Sequence, residues 1–158
     1  MPLRTIEARL PTSGLRVAIV VSKYHDFITD RLQAGAVAAL TAAGVSADCI
    51  TVVRVPGSFE LPSAAQHVAK GGKFDAVVCL GCLIKGETPH MEFIASAVAH
   101  GLTAAAASTG VPMTFGVLTT NSVEEALARA GDGSDNKGWE AASAAVAMAS
   151  VIAQLRKP

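Results

Sequence analysis

Charge and long apolar runs are both scarce in this chain. Thirteen Lys and Arg balance thirteen Asp and Glu, and only 16% of residues are charged, so no broad field attracts nucleic acid or an anionic membrane surface. Any anion site must therefore be local. No apolar stretch approaches the roughly 18 residues of a membrane span, and the first residues lack the basic segment and hydrophobic core of a secretion signal. The expectation is a cytoplasmic protein. The cysteines are Cys49, Cys79 and Cys82, an odd set that argues against a disulfide framework.

What remains is apolar. Hydrophobic residues make up 51% of the 158 but aromatics only 4%, so the surplus is aliphatic and alanine-rich. One domain spanning 1–158 is expected, and its apolar content exceeds what a monomer's interior needs. Part of the surface is thus expected in subunit contacts.

Residues Arg4 to Leu10 alternate, with Ile6, Ala8 and Leu10 on one side and Pro11 ending the run, which suggests an edge strand or an arm (1–13) lent to a neighbour. Arg16–Ser22 reads as the first buried strand, and a helical pattern from Asp26 carries Phe27, Leu32, Val37 and Leu40 to Gly44. Ile50–Val55 is the second strand, followed by an alanine-rich helix closed by Gly71 and Gly72. Asp75–Gly81 is a continuously apolar third strand. Thr88 as N-cap and Pro89 at the first position start a helix with Phe93, Ile94, Val98 and Leu102 at helical spacing. Val111–Leu118 is the fourth strand, and helices over about 122–130 and 137–155 finish the chain. Strands alternating with helices imply parallel βαβ units, hence an α/β protein: a three-layer α/β/α sandwich, flavodoxin-like, on a four-stranded parallel sheet. Ligands in such folds bind beyond the carboxyl ends of the strands, so the turns after Ser22, Val55, Gly81 and Leu118 should converge.

The stretch Gly81–His90 gathers the most chemistry. A helix N-terminus leaves amides unpaired and partly positive, which suits a phosphate ester, and His90 beside it can give and take a proton near neutral pH. A structural histidine is the bland alternative, and His25 has a weaker version of the same claim. Cys79 and Cys82 match C-x-x-C, but in a strand they point to opposite faces, so two buried thiols are the better reading than a redox pair. No further ligands suggest a metal. Arg129 reads from spacing as a surface ion pair with Glu125, Lys137 as a cap or a solvated charge, and Glu60 as a partner of a helix dipole. Tyr24 and Phe115 stand near strand ends, where a ring can stack on a planar ligand, although a core role suits Phe115 equally.

Several blocks together resemble the 6,7-dimethyl-8-ribityllumazine synthase family: Gly14–Arg16, Arg54–Pro62, Gly86–His90, Phe115–Thr119, Arg129–Gly131 and Asn136–Ala142, in that family's order and spacing. The resemblance implies condensation of 5-amino-6-(D-ribitylamino)pyrimidinedione with 3,4-dihydroxy-2-butanone 4-phosphate, without cofactor or metal. It implies His90 as the proton-transfer group and Tyr24 stacked on the pyrimidine. Ser58 and Glu60 would bind its polar atoms, and Leu83 and Ile84 line the ribityl channel. The amides of Glu87 and Thr88 with Arg129 would form the phosphate site, and Lys137 joins the substrate-binding set. It further implies that Phe115 and Arg129 serve the adjacent subunit's site, in a homopentamer or a shell of sixty subunits. His25, where asparagine is common, and Met91, where an aromatic is frequent, depart from the pattern. A rival within the same resemblance is a paralogue that holds lumazine or flavin with little turnover.

Overall fold

The computed structural model describes residues 1–10 and 13–158. Four strands, β1 (Val17–Ser22), β2 (Ile50–Val55), β3 (Ala76–Ile84) and β4 (Met113–Thr120), form one all-parallel sheet in the order β2-β1-β3-β4. Between and after them run α1 (Asp26–Ala42), α2 (Leu61–Lys70), α3 (His90–Thr109), α4 (Val123–Ala128) and α5 (Lys137–Leu155). Alternation along β1 divides the interior in two. Val17, Ile19 and Val21 pack with α1, α4 and α5, whereas Ala18 and Val20 pack with α2 and α3. This is the expected flavodoxin-like sandwich: a strand buried on both faces needs a helix layer on each.

β1 and β3 occupy the centre, and nearly every side chain in them is buried. β2 is an edge strand with Thr51, Val52 and Arg54 exposed. The αL conformation that ends α1's turn falls on Gly44 (φ 91°), as only glycine adopts it without strain.

Several features differ from the sequence reading, five of them beyond a one-residue shift at a strand start. Residues Arg4–Leu10 form no strand. They lie along α5, where the Arg9 amide donates to Ser150 Oγ at 2.9 Å and Gln154 Nε2 donates to the Glu7 carbonyl at 2.8 Å. The alternation is still used, since Ile6 and Ala8 are half-buried; Pro11 lies outside the described residues. β3 runs past Gly81 to Ile84 because β4 pairs with it that far, Ile84 opposite Thr120, and the Lys85 amide adds a bond to the Thr120 carbonyl at 2.8 Å. β4 starts at Met113 and not Val111, since Pro112 has no N–H to donate. Helix α3 begins at His90 with Pro89 at the cap position and no side-chain cap bond from Thr88. Finally, α4 stops at Ala128, with the Ser122 hydroxyl accepting from the Glu125 amide at its start. The aromatic helix residues Phe27 and Phe93 also face outward, 49% and 72% exposed.

Candidate active site

The turns after the strands do converge, and each is shaped by a local device. At the end of β1, the Lys23 amide donates to the Val55 carbonyl at 2.8 Å, tying that turn to β2. His25 then adopts the left-handed conformation (φ 59°), the only non-glycine residue described with positive φ, a region in which Asn and His are among the better-tolerated side chains. Its carbonyl accepts the Ile28 and Thr29 amides that open α1. The kink turns Tyr24 outward, 65% exposed, with the His25 ring edge-on at 4.5 Å and Phe27 at 6.0 Å from His25 on the other side. Partial burial lowers the His25 pKa from its ordinary value, because desolvation penalises the imidazolium.

After β2, a 3-10 turn over Ser58–Glu60 leads into α2. Ser58 is buried beneath Gly81 of β3, where any Cβ would collide with the Ser58 hydroxyl. The glycine is therefore what lets the Ser58 turn close onto the sheet. The extra residues of β3 carry Leu83 and Ile84 to the rim, followed by an exposed loop to Pro89. Among the described residues, the amides of Glu87, Thr88, His90 and Met91 have no protein acceptor. They form the group of free donors that a helix start supplies.

These elements enclose a cavity of about 600 Å³ lined by Tyr24, His25, Ser58, Phe59, Glu60, Cys82, Leu83, Ile84, Thr88, His90, Met91 and Val123. The sequence-predicted Tyr24, Ser58, Glu60, Leu83, Ile84, Thr88 and His90 are thus brought together. Phe115, Arg129 and Lys137 are not among them. They line a second cavity of about 580 Å³ outside β4 with Glu140, Ala141 and Ala144. Glu87 is exposed on the loop and lines neither.

Among the described residues, the second cavity holds a cation without a carboxylate partner. Arg129 does not pair with the Glu125 carboxylate, contrary to the i, i+4 spacing: its Nη1 donates to the Glu125 carbonyl at 3.0 Å, while the carboxylate accepts the Asn121 amide at 2.8 Å. Lys137 neither caps α5 nor stands free. Asn136 is the cap, and Lys137 Nζ pairs with Glu140 at 2.7 Å. Phe115 is 45% exposed and so not a core residue of this chain.

Cys79 and Cys82 are free, buried and on opposite faces of the sheet. Burial pushes their thiols up to about 12 and about 11, the reverse of what a redox pair requires. Among the described residues no three His, Cys, Asp or Glu side chains converge in a metal-binding group. No described helix is long and apolar enough to cross a membrane.

The sequence reading omitted several cavity residues. Phe59, 62% exposed between Ser58 and Glu60, could have been found from its place in that turn. Glu140 could have been found from its i, i+3 spacing to Lys137. Val123 carries no local signal; only the neighbouring end of β4 brings it there.

Comparison with known proteins bears on this geometry. The family model for 6,7-dimethyl-8-ribityllumazine synthase matches residues 14–153. A protein of Syntrophus aciditrophicus (strain SB) named 6,7-dimethyl-8-ribityllumazine synthase is 46% identical over 155 residues, covering 98% of this chain and 100% of the relative. One of Desulfatibacillum aliphaticivorans with the same name is 41% identical over 153 residues, 97% of this chain and 99% of the relative. The chain belongs to the 6,7-dimethyl-8-ribityllumazine synthase family.

Proposed function

We propose that this protein, as one domain over residues 1–158, condenses 5-amino-6-(D-ribitylamino)pyrimidinedione with 3,4-dihydroxy-2-butanone 4-phosphate to give 6,7-dimethyl-8-ribityllumazine. The observation that carries the reading is one cavity that joins an outward aromatic, a buried hydroxyl, a carboxylate, free amides and His90. Tyr24 stacks on the flat pyrimidine. Ser58 and Glu60 bind its polar atoms, and Leu83 and Ile84 flank the ribityl chain. The free amides at Glu87 and Thr88 face the phosphate.

The pyrimidine amine adds to the ketone, and His90 protonates the departing hydroxyl so that water leaves and an imine forms. A carbon-bound proton is then lost as the C–O bond to phosphate breaks. The enol left by that elimination takes a proton at its terminal carbon and gives up its O–H proton to become a ketone; the ribitylamino nitrogen closes the ring on this new carbonyl, and a second water leaves. Protons taken and given balance over the sequence, and nothing is oxidised. A positioned acid–base group of this kind contributes about 10²–10⁴-fold, and holding two substrates together supplies much of the rest.

Phe115, Arg129 and Lys137 belong to the same reaction through a neighbouring copy. The two cavities share no lining residue, so the phosphate cation of one subunit completes the strand-end cavity of the next. Such head-to-tail contact closes into a ring, here a homopentamer, and further pentamers can assemble a shell. The outward Phe59 and Phe93 supply apolar area for that contact, and the segment Arg4–Leu10 is an arm that can be lent to a neighbour.

Two measurements test this. Mixing the purified protein with both substrates should raise lumazine fluorescence above the uncatalysed rate; no rise leaves a binding paralogue. Exchanging subunits between His90→Ala and Arg129→Ala pentamers should restore about one quarter of wild-type activity at low butanone phosphate, since one interface in four pairs two intact halves. No recovery would mean that each site lies within one subunit.

A further inference from the structure

Asn136 is only 2% exposed, yet its amide is fully bonded. Oδ1 accepts the Gly138 amide at 2.7 Å and the Trp139 amide at 3.2 Å, which is the cap of α5. Nδ2 donates to the Gly131 carbonyl at 2.9 Å and, across to α1, to the Arg31 carbonyl at 3.1 Å. Capping requires the oxygen alone, and Ser or Asp supplies it as well as Asn. The two bonds from Nδ2 need another explanation.

Their place supplies one. The loop from Arg129 to Lys137 is pinched at its neck, where the Lys137 amide donates to the Arg129 carbonyl at 2.9 Å. Asn136 sits inside that loop, bonded to its backbone at Gly131 and anchored outside it on α1. The cations at the two ends of the loop, Arg129 and Lys137, line one cavity. Helix α1 also leaves room for this anchor: a Cβ at Gly35 would collide with the Asn136 amide, and one at Gly138 would run into the Leu32 carbonyl. The Arg31 carbonyl and the bare Gly35 together form a socket for a single amide, and Gly138 lets the start of α5 approach the Leu32 carbonyl beside it.

We propose that Asn136 is a positioning residue that fixes Arg129 and Lys137 relative to each other and to the sheet, so that both meet one phosphate group. The inference rests on the reaction proposed above. Asn136→Ser and Asn136→Asp keep a capping oxygen and lose both Nδ2 bonds. Gly35→Ala leaves Asn136 intact and displaces it from its socket. Each should raise KM for the butanone phosphate about 10-fold or more, the scale on which small misplacements act. The inhibition constant of inorganic phosphate should rise in parallel, while kcat and the pyrimidine KM change little.

Val17→Ala, buried at the far end of β1, is the control for lost stability: it should lower Tm and leave both phosphate constants unmoved. If the Asn136 variants do not fold, Gly35→Ala decides the same question. Wild-type phosphate constants in folded variants, or an equal rise in Val17→Ala, overturn the inference. Absence of turnover in the wild type would instead defeat the reaction reading; inorganic phosphate titrated by calorimetry then still decides the role of Asn136.

Discussion

Replacing Arg129 by alanine should impair use of the phosphorylated substrate far more than folding. Within the chain the guanidinium makes one hydrogen bond, to the Glu125 carbonyl at 3.0 Å, and among the described residues it pairs with no carboxylate. Its loss should cost the fold about 1 kcal/mol or less, a shift of about 2–4 °C in Tm. For the ligand the arithmetic differs. A hydrogen bond to a charged group is worth about 1.5–3 kcal/mol, and each 1.4 kcal/mol is tenfold, so KM for the butanone phosphate should rise about 10- to 150-fold. Lys137 does not replace the lost charge at full strength because Glu140 already neutralises it at 2.7 Å. Arg129→Lys should fall between, since it keeps the charge and loses the planar two-pronged donor. The assay is initial lumazine formation with butanone phosphate varied at saturating pyrimidine, repeated at two salt concentrations; the Arg129 contribution should shrink with salt because the side chain is exposed. Unchanged KM and kcat would remove Arg129 from the site, and an equal rise in the pyrimidine KM would show that it acts on general architecture.

Three further outcomes are expected. His90→Ala should lower kcat about 10²–10⁴-fold while pyrimidine binding, followed by calorimetry, persists; full activity would refute its role in proton transfer. Gly116→Ala should destabilise the fold by about 1–3 kcal/mol in thermal or urea unfolding. The added Cβ would lie 2.6 Å from Leu80 Cδ2 and 2.9 Å from the Cys79 carbonyl, which is held in the sheet. The Cys79 and Cys82 thiols are raised from 9.0 to about 12 and about 11, so the fold favours their protonated forms. Their contribution to stability is complete below pH 9 and is lost as pH rises from there toward 12; Cys79→Ala should therefore lose stability less steeply than wild type over that range, and Cys79→Ser/Cys82→Ser should retain turnover.

The layered fold was legible because its signals are local and mutually consistent. The apolar run before Gly81 reads as a doubly buried strand, and the extent of α5 follows from a long apolar-alanine pattern after a turn cluster, although its cap is Asn136 and not Lys137. Errors occurred where a partner strand, and not the chain itself, sets the limit. Gly81 looks like a strand end by composition, yet pairing of Cys82, Leu83 and Ile84 with Leu118, Thr119 and Thr120 carries β3 onward. Likewise Arg4–Leu10 alternates as a strand should, but within this chain it rests on α5 through Ser150 and Gln154. Alternation reports which side chains face inward; it does not report whether a hydrogen-bonding neighbour is present.

The candidate site divides along the same line. Tyr24, Ser58, Leu83 and His90 could be grouped in advance because parallel strands deliver their carboxyl ends to one rim, and that rule needs only strand order. Arg129 obeys no such rule. Its spacing to Glu125 suggests a surface pair, and that pair is absent because the Asn121 amide takes the carboxylate first. What remains is an exposed guanidinium beside the half-exposed Phe115, outside an edge strand, with no carboxylate partner among the described residues. A cation without a carboxylate partner next to an outward aromatic is a poor surface for a lone subunit, and in the proposed reaction it is the wall of a neighbour's phosphate cavity. Local sequence can show that Arg129 is charged and Phe115 apolar; why they stand together follows from the two-subunit site proposed above and from nothing local.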